Sequence, residues 1–295
     1  MTVRTHHRHT TVDGLDVFYR EAGDPASPVV ILLHGAPASS YMFRELIPVL
    51  AARYHVIAPD YIGFGLSSSP STDDFDYTFD HLTDVTEHLL EQLGIASFSM
   101  YVQDYGAPVG WRLFLRDPKR VTAIVSQNGN AYEEGFVDSF WAPLWRYAAD
   151  RAVGDRNDAD EEILLGSLSV EKIQWQYTHG LADPTVVSPD SWLHDTAQVN
   201  RPGNPGVQLA LYADYPTNRT LYPVLQEAFR THRPALLAIW GANDEIFGPD
   251  GARAFARDLP EAEIVLLDGG HFLLESHLHD VATRMNAFLG AHVEP

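Results

Sequence analysis

The sequence predicts an α/β fold, a mostly parallel sheet wound with helices and interrupted by a helical insertion. Three observations lead there. Short strand-like runs alternate with amphipathic runs over 13–130 and again over 232–295. Between 131 and 231 the alternation stops, and Trp, Tyr, Asp, Pro and Asn accumulate. Within the first region, the stretch 101–110 reads as a strand that turns abruptly into a helix with one carboxylate, Asp104, at the apex.

Taken in order, residues 1–12, with His6, His7 and His9, read as a flexible tail. The runs 15–20 and 29–33 are strands, separated by the turn residues Gly23, Asp24, Pro25 and Pro28. An amphipathic helix is expected over 39–53, then a strand over 56–58 that feeds the glycine-punctuated loop 59–67. Leu82, Val85, Leu89, Leu90 and Leu93 share one helical face over 77–93. A strand over 98–102, a helix over 107–116 with Pro108 in its first turn, and a strand over 121–126 follow. The insertion, 131–231, holds helices over 136–150, 159–168 and 208–212 and irregular loops such as 200–206. A strand over 235–240, a helix over 251–258, a strand over 264–267 and a helix over 276–289 close the chain.

Composition narrows the function. With 295 residues and 45% hydrophobic side chains, the chain has ample material for a core. Forty acidic against twenty basic residues give a formal charge of −20, which repels phosphate backbones and anionic lipid and argues against nucleic-acid or membrane partners. The absence of cysteine removes disulfides, thiolate metal sites and cysteine nucleophiles. Without an apolar leader or a bilayer-length run, a cytoplasmic location is expected.

A carboxylate at the strand–helix apex selects a chemistry. Asp104 has no proton to lend to a base, and its attack on an ester or amide would give a high-energy anhydride. Attack on a saturated carbon gives an alkyl ester instead, which an activated water hydrolyses. The substrate should therefore carry an electrophilic sp3 carbon, in an epoxide or a carbon–halogen bond. Asp244 and His271 follow later strands, in the chain order nucleophile, acid, base. His271 is the expected base and Asp244 the group that orients it. The backbone amides of Ala36 and Tyr105 are the expected oxyanion donors.

These residues resemble a known family. His34-Gly35-Ala36-Pro37 with Ser39-Ser40-Tyr41, the loop from Pro59 to Gly65, the turn around Asp104, and Asp244 with His271 are similar to the aspartate-nucleophile branch of the α/β-hydrolase fold, which contains haloalkane dehalogenases and epoxide hydrolases. The resemblance covers roughly 13–130 and 232–292. It implies an eight-stranded, mostly parallel sheet with 131–231 as a helical cap, no metal, no cofactor, and a small apolar organic substrate with water. Many dehalogenases hold the halide with an asparagine at the position of Ala36 and a tryptophan directly after the nucleophile, where this chain has Tyr105. Epoxide hydrolases supply a pair of cap tyrosines to the departing oxygen. Among Tyr132, Tyr147, Tyr177, Tyr212, Tyr215 and Tyr222, Tyr215 is the expected donor, with Tyr147 or Tyr177 as its partner. Trp141, Trp145 and Trp175 are expected to line the pocket, with dehalogenation through a cap indole as the alternative. A noncatalytic ligand-binding homologue is the reading from a different class. Oligomeric state is not written in the sequence.

Overall fold

The computed structural model describes residues 4–155 and 158–293. Its eight strands are β1 (His6–Val12), β2 (Leu15–Ala22), β3 (Val29–Leu33), β4 (His55–Pro59), β5 (Phe98–Gln103), β6 (Val121–Gln127), β7 (Ala235–Gly241) and β8 (Glu263–Leu267). They form one sheet in the order β1-β2-β4-β3-β5-β6-β7-β8. The pairs β1–β2 and β2–β4 are antiparallel and the others parallel.

The first strand corrects the expected tail, which holds for none of residues 6–12. Asp13 and Gly14 both have positive φ (51° and 81°) and close a two-residue hairpin that pairs Val12 with Leu15. Its exposed, polar side chains hid the strand, because only Val12 is buried.

Alternation along the central strands builds two apolar layers. In β3, Ile31 and Leu33 face one layer while Val30 and Leu32 face the other. The first layer is closed by α2 (Phe79–Gln92) and α3 (Gly106–Arg116), the second by α1 (Leu46–Leu50). The helix expected over 39–53 is a 3-10 turn at Ser40–Phe43 followed by the short α1. Pro48 lacks the N–H that would bond the Arg44 carbonyl, which weakens the link between the two turns.

The insertion carries α4 (Asp138–Ala152), α5 (Asp158–Gly166), α6 (Val170–Thr178), α7 (Pro189–Val199), α8 (Asn204–Asp214) and α9 (Pro216–His232). Helix α8 starts inside the stretch expected to be an irregular loop. The second half of α9 belongs to the core side, since Phe229 packs edge-on against Trp111 and beside Phe114 of α3. The core therefore reclaims the chain before residue 231. Beyond β7 lie α10 (Pro249–Asp258), α11 (Leu273–Ser276) and α12 (Leu278–His292), with α10 in the first layer and α12 in the second.

Two polar clusters join cap to core. Arg44 donates both terminal nitrogens to Glu275 at 2.8 Å, and Ser191 of α7 donates to the same carboxylate. Arg112 of α3 reaches Asp80 of α2 and Asn218 of α9 at 2.6 and 2.7 Å. Among the described residues no helix is long and apolar enough to cross a membrane.

Candidate active site

Asp104 follows the carboxyl end of β5, two residues before the start of α3, with φ of 48°. A side chain at positive φ costs roughly 1 kcal/mol or more, which the surrounding turn must hold in place. Gly106 makes the turn sterically possible: a Cβ there would lie 2.1 Å from the Leu33 carbonyl oxygen, so only glycine lets α3 start so close to β3.

The carboxylate is buried, and its two oxygens differ. Oδ1 accepts the backbone N–H groups of Ala36 at 2.7 Å and Tyr105 at 2.6 Å. Oδ2 lies 3.9 Å from His271 Nε2. Burial pushes the Asp104 pKa above the usual carboxylate value, against the pull of His271 and the two amides, and Asp244 adds to the upward push.

The loop carrying Ala36 is stitched to the glycine-punctuated loop. His34 Nε2 accepts the Tyr61 amide at 3.2 Å, and burial holds the His34 pKa down in keeping with a neutral acceptor. The Asp60 carboxylate accepts the amides of Ser40 and Leu66, each at 2.7 Å. These bonds fix where the Ala36 N–H points.

His271 lies beyond β8 and Asp244 beyond β7. Their loops touch because Gly241 has no side chain: a Cβ there would meet the Gly270 carbonyl oxygen at 1.9 Å. His271 Nδ1 is 2.8 Å from Asp244 Oδ2. An ionised carboxylate only accepts, so Nδ1 carries the proton and Nε2 presents its lone pair toward the Asp104 side. Burial lowers the imidazole pKa, but the charges of Asp244 and Asp104 together outweigh it and leave it above the ordinary histidine value.

Two neighbours escaped the reading of the sequence. Asn128, with φ of 49°, donates to Asp244 Oδ2 at 2.6 Å and accepts from Gln127 and the Gly241 amide. Its signal was its place just past the carboxyl end of β6. Gln103, the last residue of β5, places Nε2 2.8 Å from His271 Nε2. Nothing in the string Gln103-Asp104 announces that contact, since it spans the sheet to a loop 168 residues away.

Asp104 and Tyr105 border a chamber of about 50 Å³, walled by Ala36, Pro37, Trp141, Gln208, Tyr212 and Ile246 among others. A vestibule of about 320 Å³ lies outside it, bordered by Pro143, Ile163, Lys172, Trp175 and Glu245. Phe140, Leu144, Ser167, Gln176 and Tyr212 border both and form the neck between them.

The aromatic side chains expected at the site divide. Trp141 is on the chamber wall, and its indole N–H donates to the Ile246 carbonyl at 2.8 Å. Trp175 borders the vestibule. Trp145 borders neither; it stacks behind Trp141 and under the Arg219 guanidinium. Tyr215 does not border the chamber either, because it joins α8 to α9 and its ring packs behind, against Trp141, Tyr105 and Phe79. Tyr147 is buried inside the cap core and borders neither space. Tyr177 faces the other way, stacked on Phe272 with its hydroxyl on Asp195. The cap tyrosine on the wall is Tyr212, one turn after Gln208 on the same face of α8.

Tyr212 keeps its proton: burial and the charge of Asp104 raise its pKa, and a contact with Ser167 opposes them only in part. Ser167 spends its own proton on the Leu164 carbonyl at 2.6 Å, so in the 3.4 Å Ser167–Tyr212 pair the phenol is the donor. That long contact leaves the phenol proton available to the chamber. Among the described residues no cluster of three or more His, Asp or Glu side chains is placed to hold a metal ion.

Comparison with known proteins agrees with this architecture. The profile of the family described as alpha/beta hydrolase fold matches residues 28–278. An uncharacterized hydrolase of Saccharomyces cerevisiae is 41% identical over 94% of both chains. A haloalkane dehalogenase of Bradyrhizobium diazoefficiens is 28% identical over 92% of this chain and 89% of its own. A cis-3-alkyl-4-alkyloxetan-2-one decarboxylase of Xanthomonas campestris is 27% identical over 94% of this chain and 93% of its own. Among solved structures, a loop variant of a haloalkane dehalogenase from Bradyrhizobium elkanii superposes with a TM-score of 0.78 at 23% identity, covering 98% of this chain and 97% of its own. The chain belongs to the α/β-hydrolase fold family, as a hydrolase related to the haloalkane dehalogenases.

Proposed function

We propose that the protein hydrolyses epoxides through a covalent ester on Asp104. One observation carries the choice of leaving group. On the cap side of the chamber wall Tyr212 presents a phenol proton held only by a 3.4 Å contact with Ser167, while the N–H of Trp141 is committed to the Ile246 carbonyl. A departing oxygen needs a proton; a departing halide needs uncommitted N–H groups. The relative named for an oxetan-2-one gives precedent for a strained oxygen ring among similar proteins.

In this reading Asp104 Oδ2 attacks a ring carbon and the C–O bond breaks toward oxygen. Tyr212 protonates that oxygen as it leaves. His271 Nε2 then takes a proton from water, whose oxygen adds to the ester carbonyl carbon. The charge that forms on Oδ1 lies between the amides of Ala36 and Tyr105, already placed at 2.7 and 2.6 Å. Collapse expels the alkyl oxygen, His271 returns its proton to it, and the diol leaves. The proton left on the Asp104 carboxyl restores the Tyr212 phenol.

The relatives named haloalkane dehalogenase favour a second reading, in which the same ester forms with loss of halide. The two separate in one comparison: 1,2-epoxybutane should give butanediol, and 1-bromobutane should release little bromide. His271→Gln should stall the reaction at the ester, visible as an adduct mass on the peptide containing Asp104. Bromide release without diol overturns the epoxide reading, and no adduct with either compound overturns the ester.

A further inference from the structure

We infer that the chamber is built for an epoxide carrying its own hydrogen-bond donor next to the ring, and that Gln208 is the residue that selects it. The inference rests on the proposed function only for the identity of the ring.

The argument is one of forced amide orientations. Asn204, Gln208 and Tyr212 follow one another at four-residue intervals on one face of α8. Asn204 Nδ2 lies 2.5 Å from the Gly63 carbonyl oxygen. A carbonyl only accepts, so the nitrogen of Asn204 must point there and its Oδ1 must point at Gln208, 3.1 Å from Gln208 Nε2. Gln208 must therefore donate to Asn204, and its Oε1 is left over. Gln208 is 1% exposed and borders the chamber with Asp104. Its Oε1 has no hydrogen-bond partner among the described residues.

A buried acceptor without a partner is uncommon and destabilising. A purely alkyl epoxide offers only acceptors, so on binding it desolvates Oε1 and gives nothing back. An epoxide bearing a hydroxymethyl or an amide N–H on the ring carbon satisfies Oε1 while its ring oxygen takes the Tyr212 proton one helical turn away. The two polar groups on this face are complementary, one donating and one accepting. Together they read a substrate with an acceptor and a donor on adjacent carbons.

The pair 2,3-epoxypropan-1-ol and 1,2-epoxybutane tests this, since the two differ by a hydroxyl in place of a methyl. Binding is measured in an Asp104→Asn background, where no ester forms, by ligand-observed NMR titration with and without Gln208→Leu. The hydroxylated epoxide should lose about tenfold or more in affinity with Gln208→Leu. 1,2-Epoxybutane should bind equally well or better. Equal losses for both compounds, or no loss for either, overturn the inference. Diol formation by the chain with native Asp104 is followed in parallel: a lost binding preference without any diol from either compound would sink epoxide hydrolysis and leave the selective role of Gln208 standing.

Discussion

Replacing Tyr212 by Phe removes one hydroxyl and little else. Its partner, Ser167 Oγ, is 3.4 Å away and keeps its own bond to Leu164, so the folding cost should stay below about 1 kcal/mol. The catalytic cost is a different matter. Among the described cap residues Tyr212 is the phenol on the chamber; Tyr105, on the core side, has its ring against Phe79 and Tyr215, and Trp141 has no proton to spare. Loss of a positioned acid is worth roughly 10²- to 10⁴-fold, or about 3–5 kcal/mol of barrier. Single-turnover formation of the Asp104 adduct from 1,2-epoxybutane should slow by that factor in Tyr212→Phe, while urea unfolding stays close to that of the unaltered protein. Any residual adduct formation from 1-bromobutane, which needs no proton, should be unaffected. If the variant alkylates with epoxide within about threefold of the original rate, Tyr212 is not the acid and the assignment fails.

Three further outcomes are expected. Asn128→Ala loses a donor to a charged oxygen, about 1.5–3 kcal/mol, and puts alanine at positive φ, about 1–2 kcal/mol more; denaturant titration should show Asn128→Gly recovering the backbone part only, and equal stabilities for the two variants would contradict this. The His271 imidazole in the free protein should titrate above 6.5, because Asp244 and Asp104 outweigh its burial. Ester breakdown needs the neutral ring and so should rise with pH, but the ester has lost the Asp104 charge, so the acid limb of kcat should lie below the free-protein NMR midpoint; a kcat limb above that midpoint would break the argument. Finally, burial raises the Asp104 carboxyl above its unfolded value of 3.8, so ionised Asp104 opposes folding at neutral pH and ceases to below the unfolded value. Asp104→Asn should raise Tm at pH 8, and the gain should shrink on acidification; a gain that grows as pH falls would have the wrong sign.

The core was largely legible because strand ends in a parallel sheet carry compositional marks: β-branched runs stop at Gly, Asp, Asn or His where the chemistry begins. Asp104, Asp244 and His271 come together across three such ends. The hairpin at the amino end was not legible, since an edge strand with polar side chains on both faces has no alternation to read. The cap resisted for a related reason. Choosing Tyr212 over Tyr215 depends on where α8 stops, and three residues at a helix end turn a ring from the chamber to the packing behind Tyr105. Tyr177 was lost to the chamber through a distant partner, Asp195, on a helix with no pattern to announce it.

The unequal grip on the Asp104 carboxylate has an isotopic consequence. On the proposed ester mechanism the oxygen that attacks departs with the product, and solvent refills its position, while the oxygen clasped by two amides stays where it is. In heavy-oxygen water the first diol released should thus be unlabelled, every later one labelled. However many cycles follow, the aspartate should hold one heavy atom and never a second, provided its carboxylate does not rotate between them.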